Sequence, residues 1–577
     1  MYILGLNAYH ADSSAAIFHN GKLIAATEEE RFTRVKHWAG FPALAIQFCI
    51  REAGISIDEV DHIAIGRNPK AKLVNKLLFV LSHPASGFNN AYERIKNLKK
   101  VTSLEDEFIK IYPQLKNSDF QKRIHQIEHH RSHLASSFFA SPFEESALLS
   151  IDGSGDFTTT MIGIGSGNKI KVLDSVDFPH SIGLFYTSLT QFLGFPHYGD
   201  EYKIMGLAPY GKPLYKDKIR KLVTLKDNGL FELNLRYFKI FDSNIITYGD
   251  NHQPVVARLY SEKTEELLGK ARRPDEELTQ YHKDIARSVQ EVTEEIYMHL
   301  LNHLHQKTGL QNVCVAGGVS QNSVANGKIT TNTKFKNVYI PSAGHDAGIA
   351  MGSALYLYNQ VLEHDRMPPI WSAYTGAHAT NPEIEKLLLQ RHINFQRYED
   401  QEIYQLTSDA LIDGAVVGWF SGKAEFGPRA LGARSILADP RRSDAKELLN
   451  RKIKRRESFR PFAPSILEEY VGDYFEIQDR VPFMEKVFPI RKEMQSKIPA
   501  VTHVDGTGRL QSVNRESSPR YYQLIETFRQ KTGVPILLNT SFNENEPIVN
   551  SPEHALDCFL RTSMDMLVLE NYIIRRT

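Results

Sequence analysis

The residues best equipped for chemistry lie between Glu128 and Asp156, in the stretch EHHRSHLASSFFASPFEESALLSIDGSGD. His129 and His133 stand four residues apart in a segment that reads as a helix until Ser141-Pro142 stops it, so two imidazoles project from one face. Ala147 to Ile151 then reads as a short buried strand ending at Asp152-Gly153-Ser154-Gly155-Asp156, a turn able to present backbone N–H groups beside a carboxylate. Paired histidines followed by an acid and a glycine turn are the donor set of a metal-assisted phosphate site. Further on, Gly344-His345-Asp346-Ala347-Gly348 places Asp346 where a strand turns into a helix, as a further ligand for His129 and His133 or as a helix N-cap.

Two other constellations point to anions. Ala316-Gly317-Gly318-Val319-Ser320-Gln321-Asn322 follows the strand Val313–Val315; its glycines let a purine or ribose lie on the backbone, with Asn322 placed to hydrogen-bond it. After the strand Ala415–Phe420, Arg429, Arg434, Arg441, Arg442, Lys446, Arg451, Lys452, Lys454, Arg455, Arg456 and Arg460 are interleaved with glycine and apolar residues. That pattern reads as recognition of a planar anion by several guanidinium groups. Arg509 in Asp505–Arg509, and a hydroxyl-amide loop Asn539–Asn543 after the strand Val534–Leu538, add to it.

The elements that must hold these residues repeat. Residues 2 to 27 read strand, polar loop, strand, turn, strand, with the loop at Asn7–Ser14 and a hairpin turn at Asn20-Gly21. Residues 147 to 176 repeat the design, turning at Ser166-Gly167-Asn168. Two such units, each followed by helices, predict a duplicated α/β domain holding a nucleotide phosphate tail between its loops, the pattern of the actin, hexokinase and Hsp70 superfamily. Residues 281 to 306 predict a long core helix, with Ile285, Val289, Val292, Ile296 and Leu300 at helical spacing. Gly199 to Gly211 reads as a loop carrying Lys203, residues about 70 to 120 as a solvated helical insertion that includes Tyr92–Lys100, and 362–382 as a linker.

Bulk properties narrow the classes. A chain of 577 residues needs more than one core. Its 69 Lys+Arg nearly cancel 68 Asp+Glu, leaving +1, so no global field for nucleic acid or membrane follows. Three distant cysteines, Cys49, Cys314 and Cys558, fit reduced buried thiols and exclude a zinc knuckle. With no apolar stretch long enough to span a bilayer and a strand directly after Met1, a cytoplasmic address is expected.

Taken in order, His10…Ser13, Glu28-Glu29-Glu30-Arg31-Phe32, His129-x-x-x-His133, Asp152-Gly153-x-Gly155, Lys203-Ile-Met-Gly-Leu-Ala, Gly317-Gly318-Val319-x-x-Asn322, Gly344-His345-Asp346 and Gly427-Pro428-Arg429-Ala430-Leu431-Gly432 resemble the NodU/CmcH/TobZ O-carbamoyltransferases along essentially the whole chain. The resemblance implies a Gcp/TsaD-like carbamoyl-transfer domain at 1–361 and a YrdC-like domain at 383–577. In the second, carbamoyl phosphate and ATP would give carbamoyl-adenylate; in the first, the carbamoyl group would pass to a hydroxyl of a small molecule such as a sugar, antibiotic or other secondary metabolite. Matching positions imply carbamoyl phosphate on Arg429, Lys454, Arg460, Arg509, Ser541 and Asn543, and a metal on His129, His133, Asp152 and Asp346. Two imidazoles and carboxylates suit Fe(II), or Zn or Mn, with Mg accompanying ATP. Ser13, Gly153, Ser154, Gly155, Lys203, Gly317, Gly318 and Asn322 would hold the nucleotide, and His10, with Asp12 sharing or replacing it, would be the base an alcohol nucleophile needs. His10 and Ser13 are separated here by Ala11-Asp12, where some members have His-Asp-Ser.

Three other readings were weighed against this. A tRNA threonylcarbamoyl-transfer enzyme normally shows a basic face, which the balanced charge lacks. A small-molecule kinase of the same superfamily needs neither the paired histidines nor the second domain, and a non-catalytic ATP-binding regulator would have lost the metal and phosphate residues.

Overall fold

A computed structural model describes residues 1–82, 104–116, 119–241, 245–454 and 457–576. The segment Tyr92–Lys100, with Arg455 and Arg456, lies outside the described residues. The chain forms two compact units: Met1–Asn322 with Lys328–Ile370, and Trp371–Thr577 with Ser323–Gly327.

The first unit carries two sheets of one design. In one, β1 (Tyr2–Asn7), β2 (Ser14–His19), β3 (Lys22–Glu28), β4 (His62–Ile65) and β5 (Ile124–Gln126) lie in the order β3-β2-β1-β4-β5. The hairpin strands β1 to β3 are antiparallel, and β4 and β5 add in parallel. Asn20 and Gly21 both take positive φ (48 and 77), the conformation the hairpin signal requires. The other sheet is built from β6 (Glu145–Gly155), β7 (Thr158–Ser166) and β8 (Lys169–Asp177), followed, after the small hairpins β9 (Val223–Leu225) with β10 (Phe231–Leu233) and β11 (Ile246–Tyr248) with β12 (Pro254–Val256), by β13 (Asn312–Ala316) and β14 (Asn337–Tyr339). Its order, β14-β13-β6-β7-β8, reproduces the first: an antiparallel meander with two parallel strands on its first member. Unit 1 is therefore the duplicated actin/Hsp70-like α/β fold.

The helix Gln280–Thr308 buries Ile285, Val289, Val292, Ile296 and Leu300, as the spacing predicts. The short helix Ile349–Leu355 matters more for the site. A Cβ on Gly5 would fall 1.9 Å from Ala350 O, and one on Gly352 would fall 1.8 Å from Ser132 O. Small residues thus let this helix lie backbone to backbone against β1 and against the helix His129–Phe138, which brings Asp346, just before it, beside the paired histidines.

Three local expectations are corrected. The strand expected to end at Ile151 runs on to Gly155 through an irregularity in its pairing with β7, and the turn falls at Asp156 and Phe157, with φ 50 and 82. Gly199–Gly211 is not a loop throughout: Glu201–Leu207 is helical and includes Gly206, with Gly199 before it and Gly211 after it. In the second unit, Asn539 to Ser541 continue the strand instead of forming a loop after it.

The second unit is α/β with one mixed sheet of nine strands, in keeping with the YrdC-like expectation. These are β15 (Gln396–Arg397), β16 (Val417–Phe420), β17 (Arg434–Ala438), β18 (Ala463–Leu467), β19 (Lys486–Pro489), β20 (Thr507–Val513), β21 (Ile536–Ser541), β22 (Met566–Leu569) and β23 (Tyr572–Arg575), ordered β15-β23-β22-β16-β17-β21-β18-β20-β19. Central strands bury both faces, as Val417–Phe420 and Arg434–Ala438 do throughout, so they read as continuous rather than alternating runs. Cys49, Cys314 and Cys558 are free and buried. Among the described residues no helix is long and apolar enough to cross a membrane.

Candidate functional site

The helix His129–Phe138 starts at Glu128, whose carboxylate caps it by accepting from the N–H groups of His130 (3.1 Å) and Arg131 (2.7 Å). One turn of helix then sets His129 and His133 side by side, both fully buried. Asp152 arrives on the irregular end of β6, with Oδ1 held at 2.8 Å by the N–H of Gly318. One ligand atom from each of His129, His133, Asp152 and Asp346 lies within 4.8 Å of the others. His129 Nε2 is 3.1 Å from Asp152 Oδ2 and 3.7 Å from Asp346 Oδ1, and His133 Nε2 is 3.8 and 3.4 Å from the same two oxygens.

The charges of the cluster act strongly on one another. Burial opposes charge on His133, yet the two carboxylates hold its imidazole up at about 9 and raise His129 as well. Burial and the charge of Asp152 push Asp346 up, whereas the imidazoles keep Asp152 well below the carboxylate range despite its burial. His133 Nε2 and Asp346 Oδ1 are buried without a well-formed hydrogen bond. Four converging N and O donors with orphaned buried atoms fit a divalent transition metal. The neighbouring His130 does not join them: its Nδ1 meets Ser150 Oγ at 2.8 Å and its Nε2 meets Thr158 O at 2.9 Å.

The expected nucleotide residues divide. Gly317 and Gly318 stand beside the His/Asp cluster, Gly317 donating its N–H to Gly344 O (2.7 Å), while Ser154 is exposed. Gly153 lies against Gly183, where an added Cβ would come within 2.8 Å of Gly153 N. A Cβ on Gly155 would sit 2.1 Å from the His129 ring. Gly155→Ala is therefore expected to cost about 1–3 kcal/mol by displacing that ring, measurable as a lower denaturant midpoint together with weaker metal retention. Asn322 exchanges hydrogen bonds with the amide of Gln290 at 3.0 and 3.1 Å. Lys203 pairs with Asp200 at 2.8 Å, and Ser13 Oγ ties the first loop together through Gly40 O (2.8 Å) and His10 O (3.0 Å).

His10 sits at the edge of the cluster, its ring centroid 5.3 Å from that of His129. Burial, reinforced by the charge of Arg67, lowers its pKa well below the usual imidazole value, so the ring is neutral. Asp12 is not its partner. The Asp12 carboxylate meets Nδ1 of His37 at 2.7 Å, a residue that the sequence reading missed because the two stand 25 positions apart with no periodic relation. Burial disfavours charge on His37, but Asp12 outweighs it and raises the imidazole to about 9, while Asp12 itself is lowered. A His raised above its unfolded value of about 6.5 stabilises fully below that pH and loses the effect as pH climbs through 9, and the carboxylate side requires a pH above about 4. The advantage in unfolding midpoint of the parent over His37→Ala is thus expected to be greatest between about pH 4 and 6.5 and gone above about pH 9.

In the second unit, Lys454, Ser541 and Asn543 come together. The buried ammonium of Lys454 donates to Ser541 O (2.6 Å), Asn543 O (2.7 Å) and Asn543 Oδ1 (2.7 Å), and Ser541 Oγ donates to Asn543 Oδ1 at 2.7 Å. Arg509 lies on β20, Arg429 on the loop before β17, and Arg460 pairs with Glu457 at 3.5 Å. Several of the other cations are engaged internally. Arg441 forks onto Asp439 (3.0 and 2.6 Å), Arg442 onto Asp444 (2.9 and 2.6 Å), and Lys452 pairs with Asp565 (2.6 Å). Arg434 is fully buried over the Phe420 ring, 3.5 Å from its centroid, and donates to backbone carbonyls. The dense cation run is thus in large part structural.

The comparisons with known proteins agree with these two units. The family described as Carbamoyltransferase N-terminus matches residues 2–355, and Carbamoyltransferase C-terminus matches residues 408–576. An uncharacterized protein of Synechocystis sp. is 42% identical, covering 100% of this chain and 97% of that protein. Nodulation protein NolNO of Sinorhizobium fredii is 37% identical, covering 99% of this chain and 80% of its own, and nodulation protein NolO of Bradyrhizobium diazoefficiens is 39% identical over 78% and 79%. With both family halves in order on its two α/β units, the chain belongs to the carbamoyltransferase family and is a transferase.

Proposed function

We propose that the chain is an ATP-dependent O-carbamoyltransferase that activates carbamoyl phosphate as carbamoyl-adenylate and passes the carbamoyl group to a hydroxyl of a small molecule. The observation that carries this reading is the presence in one chain of two chemically distinct buried clusters, one of imidazoles and carboxylates and one of ammonium, hydroxyl and amide, each in its own unit. The second supplies what a carbamoyl phosphate needs. Arg429, Arg460 and Arg509 meet its phosphate charge, Ser541 and Asn543 its carbamoyl group, and Lys454 orients that pair and adds positive charge. Mass balance then requires one water: carbamoyl phosphate is cleaved to carbamate and phosphate, and the carbamate oxygen attacks the α-phosphorus of ATP, accompanied by Mg, to release pyrophosphate.

In the first unit, His129, His133, Asp152 and Asp346 would hold the metal, Fe(II) or, with the same ligands, Zn or Mn. When bound, the metal supplies Lewis-acid stabilisation of negative charge on a phosphate oxygen. Gly153, Ser154, Gly155, Gly317, Gly318 and Asn322 would line the nucleotide, the glycines letting it approach the backbone, with Lys203, paired with Asp200, nearby and Ser13 fixing the loop. His10 accepts the proton of the acceptor hydroxyl, and AMP departs.

The test is pyrophosphate release from ATP by metal-loaded protein, with and without carbamoyl phosphate and with no acceptor. Release that depends on carbamoyl phosphate is expected. ADP formation independent of carbamoyl phosphate would replace this reading with that of a kinase.

A further inference from the structure

The loop from Gly427 to Arg434 carries Arg429, and the backbone around it is held by a cage of side chains. Oε1 of Glu425 accepts three N–H groups, those of Leu431 (2.7 Å), Ala433 (2.8 Å) and Arg434 (3.2 Å). Ser435 Oγ accepts the N–H of Gly432 at 3.0 Å. The carbonyls are met in turn: Ala430 O by Asn539 Nδ2 (3.0 Å), Leu431 O by Gln511 Nε2 (2.7 Å) and Tyr374 OH (2.8 Å), and Gly432 O by Trp419 Nε1 (3.0 Å). Glu425 is 4% exposed and is the one acidic member of the cage. Three N–H groups converging on one carboxylate oxygen form an anion nest that the protein fills with its own side chain.

The cage also fixes where the loop stands relative to the rest of the anion cluster. Asn539 lies two residues before Ser541 on β21, and Gln511 two residues after Arg509 on β20, so each clamp shares a strand face with a residue of that cluster. We propose that Glu425 is the positioning residue of this site, setting the loop so that Arg429 meets carbamoyl phosphate in register with Arg509 and Ser541. The inference rests on the assignment of Arg429 under the proposed function.

The experiment is titration calorimetry of the full chain with carbamoyl phosphate and, separately, with ATP, for the parent, Arg429→Ala, Glu425→Ala, Glu425→Gln and the Glu425→Ala/Arg429→Ala pair. Glu425→Ala is expected to weaken carbamoyl phosphate binding by about tenfold to a hundredfold, the loss of one charge-assisted hydrogen bond, as Arg429→Ala does. ATP binding should stay within about twofold, Glu425→Gln should recover most of the loss, and the pair should bind no more weakly than Arg429→Ala alone, because Glu425 acts through that arginine. If Arg429→Ala binds carbamoyl phosphate like the parent, the site assignment fails and takes the inference with it. If Arg429→Ala weakens binding but Glu425→Ala does not, or if the two losses multiply, Glu425 has no such role. Should Glu425→Ala fail to fold, Glu425→Asp, whose shorter side chain draws the carboxylate back from the three N–H groups, takes its place: a loss of about tenfold confined to carbamoyl phosphate supports the proposal, and parent-like binding overturns it.

Discussion

Asp152→Ala is expected to abolish metal binding at the proposed centre and to lower carbamoyl transfer by at least about a hundredfold, beyond the loss typical of a group that merely supports a ligand. Asp152 is the most connected member of its cluster. One oxygen is held by the Gly318 N–H at 2.8 Å, and the other faces His129 at 3.1 Å and His133 at 3.8 Å. Removing it leaves two imidazoles facing one carboxylate and frees the Gly317-Gly318 turn from the cluster. Asp152→Asn keeps the shape and the Gly318 bond but not the charge, so it separates a structural loss from an electrostatic one. His130→Gln, in the same helix, is the internal control, since its ring is spent on Ser150 of β6 and Thr158 of β7. Elemental analysis of the purified variants and the rate of carbamate-ester formation read the result. Pyrophosphate release should persist in Asp152→Ala, because Lys454, Ser541 and Asn543 belong to the other unit. Full metal content with full transfer would remove Asp152 from the centre.

The parts of this site legible in the sequence are those set by local periodicity. A four-residue spacing on a helix aligns His129 with His133 whatever the rest of the chain does, and a Gly-His-Asp-Ala-Gly turn between a strand and a helix places Asp346 at a helix start. The duplicated sheets are legible through short apolar runs and the hairpin turns at Asn20-Gly21 and Ser166–Asn168. What the sequence hid depends on strand pairing and register rather than on periodicity. The strand that carries Asp152 runs on past Ile151 because Gly155 finds a partner in Thr158, an irregular register that no period encodes. Asn539 and Ser541 look like loop residues by composition, yet they pair with Leu437 and Ser435, and tertiary context overrides their weak strand preference. The arginines after Trp419 could not be sorted by spacing either. Asp439, Asp444 and Asp565 neutralise three cations of the run, and the last of these acids lies more than a hundred residues downstream of its lysine.

His10→Ala is expected to divide the reaction in two, lowering transfer to the acceptor by about a hundredfold to ten-thousandfold, the usual contribution of a general base, with little change in carbamoyl-phosphate-dependent pyrophosphate release. The geometry favours His10 over Asp12 for this proposed part. Its ring lies beside that of His129 and is kept neutral by burial, so it has a lone pair to offer at neutral pH. Asp12 has its carboxylate engaged at 2.7 Å by a charged His37, and a base already bound to an imidazolium is a weak acceptor. Asp12→Asn should therefore cost less than His10→Ala in transfer, and its loss should be mirrored by His37→Ala, because both break the same pair. A double variant distinguishes the roles: His37→Ala in an Asp12→Asn background should add little, whereas His10→Ala should add its full effect. Equal loss of pyrophosphate release and transfer in His10→Ala would mean that the residue supports the structure or the nucleotide, and the proton would then have to leave by another group.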